Sequence, residues 1–324
     1  MDNLCHTLAG AALGKAGLAT RTRYGMATLM ISANLPDIDV AVFLTDTLPM
    51  SFRRGWTHGV LAQVLLPVAL AAVAWAIGRR PRPVASAPAV SRGRGAETAP
   101  ASFRQLLLLS FIGLYSHIFL DFLNSYGIRL LMPFSDRWFY GDALYIMDPW
   151  LYALLGGSVW LASRAAKRRA ANPRRPAQIG LAIAAIYTLA MLGSNWWARA
   201  VVHEGLTRAG QADTRFMVTP VFANAFRREV LIDTGDRYEK GQLWFEPAPH
   251  FRPAGYGVDK GFGQPEARLA LTTPTAQAYL GWSRFPFVVV DRTVAPPRLL
   301  LNDYRYSDQS ARVGWAGLGV EIGR

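Results

Sequence analysis

One uninterrupted apolar run restricts the fold of this chain more than any other sequence feature. Residues 59–78 (GVLAQVLLPVALAAVAWAIG) carry no charged side chain over twenty positions. A helix of about 20 apolar residues is long enough to cross the hydrocarbon layer of a bilayer. Residues 105–120 and 178–197 have the same character, and arginine clusters separate the three runs. A soluble core would not need such runs, so the sequence predicts a multi-pass membrane protein.

Six apolar segments are predicted within residues 1–200, as an all-α polytopic membrane helix bundle. The first is rich in Gly and Ala, which is typical of closely packed membrane helices. The second is broken at Pro36, because the residue before a proline is pushed out of helical geometry. These two segments either span the membrane or are re-entrant. The six predicted segments are 4–19, 26–44, 59–78, 105–123, 143–162 and 178–198.

The composition changes near residue 201, where short strand-like runs replace the apolar segments. Turn signals such as residues 233–236 (DTGD) separate these runs. Residues 201–324 are therefore predicted to form a soluble β-rich (α+β) domain. Residues 79–104, rich in Pro, Ala, Ser and Arg, are predicted to form a disordered loop. The predicted strands are 215–221, 228–233, 241–245, 285–291 and 298–301.

The positive charge of the chain is arranged as a topology signal. The formal net charge is +13, and arginine clusters at 21–23, 79–104 and 164–175 flank the apolar runs. By the positive-inside rule these clusters are cytoplasmic, which puts the C-terminal domain outside, in the periplasm of a Gram-negative cell. Arg53 and Arg54 fall on the outer side in this topology. The basic charge is accompanied by no helix-turn-helix or RNA-binding signature, so no nucleic-acid partner is predicted.

The histidines and aspartates of the apolar region all fall near the outer ends of the predicted segments. Ionisable groups at membrane depth are expensive, so they usually face an interior or a wet cavity and have a function. This common level predicts that the groups meet at one site. They are His6, Asp37, Asp39, His58, His117, Asp121 and Asp148.

His117 and Asp121 form the most specific pair of the set. Positions i and i+4 lie on one face of a helix, so an imidazole and a carboxylate there can bind the same ion. Asn124 follows on the same face and is predicted to support the ligands. Alone, each residue has a structural explanation, such as a His–Asp pair that braces the bundle. Asp37 and Asp39 could equally lie in a solvated loop at a helix end. His58 follows the predicted N-cap Thr57 and could equally be a capping residue.

Taken together, the residues predict a divalent metal site. The predicted ligands are His6, Asp37, His58, His117 and Asp121, with Asp39 as general base and Asn124 and Asp148 as supporting residues. Imidazole and carboxylate donors without a thiolate suit Zn²⁺, or alternatively Mn²⁺ or Fe²⁺. Such an ion can activate a water for ester or phosphoester hydrolysis. His203 and His250 lie outside this set and are assigned no role.

Several short motifs around these residues resemble the YdjM-like family of bacterial inner-membrane proteins, regarded as membrane-bound metal-dependent hydrolases. The resemblance covers roughly the first 200 residues and implies the same location and activity for this chain. The matching motifs are residues 2–7 (DNLCHT), 34–39 (NLPDID), 56–59 (WTHG), 116–121 (SHIFLD) and 141–150 (GDALYIMDPW).

The order of the metal-ligating residues is also similar to that of the zinc-dependent phospholipase C superfamily, which would imply phosphodiester hydrolysis. The chain departs from that pattern, because after Asp121 the next histidine is His203. The later histidines of a trinuclear zinc cluster are therefore missing, and one or two ions are expected.

These observations lead to one main hypothesis and two alternatives. The main one is a membrane-bound hydrolase that acts on a phosphoester or lipid-derived ester, with membrane lipid as its surroundings. The first alternative is a non-enzymatic transporter or envelope scaffold with a structural metal site. The second is a membrane-anchored binding domain whose function lies in the C-terminal region, for which no protein partner is indicated.

Overall fold

A computed structural model describes residues 1–45, 47–79, 100–294, 297–307 and 317–321. The chain divides into two units, the first made of Met1–Ala41 and Arg53–Leu192 and the second of Val42–Phe52 and Gly193–Arg324. Most of the predicted disordered loop, residues 80–99, lies outside the described residues. The helices are α1 (Asn3–Lys15), α2 (Gly25–Ser32), α3 (Pro49–Phe52), α4 (Val60–Gly78), α5 (Phe103–Phe122), α6 (Pro149–Lys167), α7 (Arg175–Arg208), α8 (Pro265–Ala270) and α9 (Pro274–Trp282), with 3-10 helices at Leu18–Arg21 and Leu35–Leu44.

Three helices are long and apolar enough to cross a membrane: α4, α5 and α7. A fourth crossing is available if α2 and the 3-10 helix Leu35–Leu44, bent by 50° at their junction, form one broken span. The outward side chains of α4 are apolar and exposed, among them Leu61, Val64 and Leu65. Water would make this exposure unfavourable, whereas lipid matches it. The prediction of membrane helices is confirmed for these three segments.

Several predicted boundaries differ from the structure. Helix α1 ends at Lys15, and its 13 residues rise only about 20 Å, too little for a full span. The fifth predicted segment begins as a helix at Pro149 rather than at 143, because Asp148 caps it and the preceding residues are irregular. Helix α4 has Gly59, not Thr57, as its N-cap. Helix α7 continues past the predicted limit to Arg208.

Glycines allow three helices of the first unit to approach one another at Leu29. A Cβ atom at Gly10 of α1 would lie 2.8 Å from the carbonyl oxygen of Leu29, and so would a Cβ atom at Gly113 of α5. Leu29 itself is fully buried in α2. Small residues of this kind let helix backbones pack closely, which is how helices associate in membranes. This contact sets the spacing of the helices that carry the candidate site.

The second unit is built on two antiparallel sheets. The first contains β1 (Phe216–Val221), β2 (Asn224–Asp233), β3 (Arg237–Trp244) and β4 (His250–Asp259) in that order, and the second contains β5 (Pro286–Asp291), β6 (Arg298–Asp303) and β7 (Leu318–Glu321). Ala198, Val202 and Leu206 of α7 pack on the first sheet, against residues such as Val218 and Val230. The prediction of a β-rich C-terminal region is confirmed, although β4 and β7 were not predicted. Strand β4 contains two glycines and a proline, and β7 has only four residues, so neither shows a clear alternation of apolar and polar residues.

We expect Gly113→Ala to destabilise the helical unit by about 1–3 kcal/mol, because its new methyl group would overlap the Leu29 carbonyl and the Ser32 hydroxyl. The control is Gly157→Ala in α6, where a Cβ atom meets nothing within 4 Å and helix propensity should improve by up to about 1 kcal/mol. Thermal unfolding in detergent measures both. Equal midpoints for the two variants would contradict the close packing at Leu29.

Candidate metal centre

Four side chains from three different parts of the first unit meet with their donor atoms within 4.8 Å of one another. They are Asp37, His58, His117 and Asp121, and all four are buried. Asp37 lies in the 3-10 helix Leu35–Leu44, directly after Pro36, and His58 lies in the turn before α4. His117 and Asp121 lie on one face of α5. The structure thus brings together four of the five predicted ligands.

The distances between the donor atoms fit a small divalent cation. His58 Nε2 and His117 Nε2 are 3.1 Å apart, and each lies 3.5 Å from Asp121 Oδ2. Asp37 Oδ1 is 3.9 Å from His117 Nε2. Ligands at 2.0–2.1 Å from a tetrahedral Zn²⁺ are separated by about 3.3 Å. The two histidines and Asp121 therefore already form one face of such a tetrahedron, with Asp37 slightly farther away.

The hydrogen-bond partner of His117 assigns the tautomer of its ring. Its Nδ1 lies 2.8 Å from the carbonyl oxygen of Ala33. A carbonyl oxygen only accepts, so Nδ1 of the neutral ring carries the proton and donates it. Nε2 then presents a lone pair to the cluster. This backbone contact is the kind of outer interaction that orients metal-ligating histidines.

The same reasoning applies to His58. The Thr57 hydroxyl donates to Asp39 Oδ2 over 3.3 Å, so its oxygen is free to accept from His58 Nδ1 at 2.9 Å. The neutral ring of His58 therefore also presents a bare Nε2. Two imidazole lone pairs that face each other at 3.1 Å repel unless a proton or a cation lies between them. The donor set and its geometry fit a shared metal ion.

His6 lies beside the cluster but not among its four donors. Its ring stacks on that of His117, with centroids 3.8 Å apart, and its Nε2 is 3.3 Å from Asp121 Oδ1. The side chain is fully buried, and in the described part of the chain neither ring nitrogen has a hydrogen-bond partner. A buried polar group without a partner is costly. The two nitrogens of His6 are thus additional donors available at the site.

Arg54 is the member of the site that sequence reasoning missed. Its guanidinium Nε lies 3.1 Å from Asp121 Oδ2, and its Nη2 donates to Oδ1 at 3.2 Å. Nη1 donates to Asn124 Oδ1 at 3.2 Å, so the predicted supporting residue contacts the arginine that pairs with Asp121. The α-amino group of Met1 also contacts Asp121. The sequence did contain one signal for Arg54: it is an arginine on the side of the membrane where the positive-inside rule expects few.

Two predicted residues stand away from the four donors. Asp39 accepts from the backbone N–H of Arg54 at 2.8 Å and lies 3.6 Å from His58 Nδ1, on the side of that ring opposite the cluster. Asp148 caps α6 through the N–H of Leu151 at 3.0 Å and accepts from the Tyr187 hydroxyl at 2.9 Å. Asp39 is thus arranged to orient His58, and Asp148 to hold two helices together.

Comparison with known proteins assigns the chain to a family. A family model described as YdjM inner membrane protein matches residues 1–199. The chain belongs to the YdjM family. Together with the three apolar helices, this membership makes it a multi-pass inner membrane protein. The matched residues include all four donors of the cluster.

One curated relative is similar to half of this YdjM-family chain. It is "Uncharacterized protein YfhP" of Bacillus subtilis (strain 168), 24% identical over 175 residues, which are 50% of this chain and 47% of the relative. The match therefore spans about half the length of that relative. No solved structure matches the chain. The similarity to the phospholipase C superfamily has no support in these comparisons and stays a prediction.

We expect purified wild-type protein to contain about one divalent ion per chain and His117→Ala to contain almost none, because the variant removes a central donor. His250→Ala, in a strand of the second unit, is the control and should keep wild-type content. Elemental analysis of detergent-purified, size-homogeneous protein measures all three. Metal content near zero in every sample would remove the basis for the site.

Proposed function

We propose that this chain is a membrane-bound metal-dependent hydrolase. His58, His117 and Asp121 hold the ion, Asp37 and His6 lie beside it, and Zn²⁺ is the first choice before Mn²⁺ or Fe²⁺. The pair of bare imidazole nitrogens that face each other at 3.1 Å carries the proposal. A divalent ion bound there supplies Lewis acidity, which lowers the pKa of water and polarises an ester or phosphoryl oxygen.

Asp37 is the carboxylate best suited to accept a proton from the attacking water. It is the most distant of the four donors and the only one with measurable exposure, at 4%. Catalytic zinc sites usually have three protein ligands and keep the fourth position for water or substrate. In this arrangement His58, His117 and Asp121 hold the ion, and Asp37 Oδ1 holds the proton. The predicted base, Asp39, acts instead through His58 as a positioning residue.

Apolar side chains around the site favour a substrate derived from lipid. Ile38, between the two aspartates, is half-exposed, and so are Val40 and Trp56. Their exposure gives the polar site an apolar border at the end of membrane helices, where amphipathic molecules collect. A phosphoester or ester with an acyl chain matches this combination. The C-terminal domain would then steer substrate or bind a protein partner.

The burial of the donors supports a second candidate, a structural ion in a non-enzymatic transporter or scaffold. His58, His117 and Asp121 have no exposed surface. Closed sites with four protein ligands are typical of structural zinc. This candidate is distinguished by activity: a structural ion gives wild-type protein that loses thermal stability on chelation but hydrolyses none of the ester probes described below.

We expect Asp37→Asn to lower turnover of an aryl phosphodiester or a long-chain aryl ester by about 10²–10⁴-fold, because the amide cannot accept the proton. Its metal content should stay within twofold of wild type. Asp136→Asn is the matched control, since this aspartate has an 86% exposed side chain paired only loosely with Arg129. If Asp37→Asn loses its metal as fully as His117→Ala, Asp37 is a ligand and not the base.

We also propose that the bundle has its basic loops in the cytoplasm and its metal centre and C-terminal domain outside. The reason is that these loops are rich in arginine and lysine, and the positive-inside rule places such loops in the cytoplasm. A periplasm-dependent reporter fused after Arg324 should be active, and the same reporter inserted after Arg169 should be inactive. A cytoplasmic signal from the fusion after Arg324 would overturn this orientation.

A further inference from the structure

A cavity in the first unit lies far from the metal donors, at the other end of α5. It is formed where the end of α1, the 3-10 helix Leu18–Arg21, α5 and the residue before α7 come together. Its volume is about 330 Å³, within the usual range of small-molecule pockets. The lining residues are Ala16, Gly17, Leu18, Arg21, Gln105, Leu108, Leu109 and Arg174.

Two arginines give the cavity a positive charge that no described acidic side chain pairs with. Arg21 and Arg174 are exposed, and neither side chain has an ion pair or a hydrogen bond within the part of the chain that the structure describes. Arg174 passes directly over Gly17, where an added Cβ atom would be 3.2 Å from its Cδ. Gly17 has a φ of +125°, which disfavours other residues, so the backbone is shaped to leave room for this side chain.

The rest of the lining is apolar, with one polar exception. Leu18 is 39% exposed and Leu108 is 59% exposed, so the two form an apolar wall next to the guanidinium groups. Gln105 lies in the first turn of α5, and its buried side-chain Oε1 has no hydrogen-bond partner among the described residues. An unpaired buried amide oxygen is costly, and a hydroxyl donor would satisfy it. The cavity therefore combines two cations, an acceptor and an apolar surface.

We infer that this cavity binds an anionic phospholipid of the surrounding membrane. The phosphate would lie between Arg21 and Arg174, a headgroup or glycerol hydroxyl would donate to Gln105, and an acyl chain would run along the leucines. Basic pockets between membrane helices bind the headgroups of anionic lipids in this way. The exposed leucines favour a lipid over a soluble phosphate, since a free anion would leave them in water. This site is independent of the metal centre and of the proposed activity.

The test is lipid binding by the full-length protein in detergent, followed by native mass spectrometry. The protein is titrated with phosphatidylglycerol, phosphatidylcholine and sn-glycerol 3-phosphate. The first two lipids differ in net charge, and the third compound carries the phosphate without acyl chains. Wild type should bind phosphatidylglycerol at least tenfold more tightly than phosphatidylcholine. Each arginine near the surface contributes about fivefold to binding of an anionic lipid, equivalent to about 1 kcal/mol. The double variant Arg21→Gln/Arg174→Gln should therefore lose roughly 25-fold.

The matched control is Arg168→Gln/Arg169→Gln, which removes the same charge from exposed positions that do not line the cavity. It should keep phosphatidylglycerol affinity within about threefold of wild type. Equal losses in the two double variants would show general attraction to a basic surface and overturn the site. Binding of sn-glycerol 3-phosphate as tight as that of phosphatidylglycerol would overturn the lipid assignment in favour of a soluble phosphate. Unchanged metal content in both variants verifies that the protein is intact.

Discussion

The buried carboxylate of Asp121 is the point on which the helical unit depends. It is fully buried, and groups from three separate segments contact it: His6 from α1, Arg54 and His58 from the turn before α4, and His117 from its own helix. A buried charge without partners is strongly unfavourable, whereas partners in good geometry compensate for its desolvation. The position of each of these segments is therefore tied to the same negative charge, and a cation at the site would strengthen the tie.

The parts of the site that could be predicted from sequence are those that follow from local geometry. The pairing of His117 with Asp121 needs only the helical repeat, and the carboxylate at position 37 needs only the break caused by Pro36. Their meeting with His58 was predicted from a shared membrane level, which limits the search to one end of the bundle. Helix ends were less predictable: α4 has Gly59 as its N-cap rather than the predicted Thr57, and Asp148, predicted to support the site, caps α6.

The roles of single residues in the site depend on side-chain direction, which sequence spacing does not contain. Asp37 and Asp39 are two residues apart on a tight 3-10 helix, so they point to different sides, one to His117 and the other to His58 Nδ1. From the sequence, Arg54 was placed only on the outer side of the predicted topology, with no role in the site. Its burial against Asp121 depends on the fold of the turn from Arg53 to His58, which no periodic pattern marks.

Helix α5 contributes residues to both proposed sites, and its length places them about as far apart as the two faces of the hydrocarbon layer. Gln105 lines the basic cavity and Asp121 lies in the metal centre, sixteen residues later on the same helix. At 1.5 Å per residue this separation is about 24 Å, close to the thickness of the hydrocarbon layer. If α5 spans the membrane, one site meets the headgroups of the inner leaflet and the other those of the outer leaflet. In the proposed orientation the arginine cavity would lie in the cytoplasmic leaflet, where anionic headgroups attract basic segments, and the metal centre would lie at the opposite face.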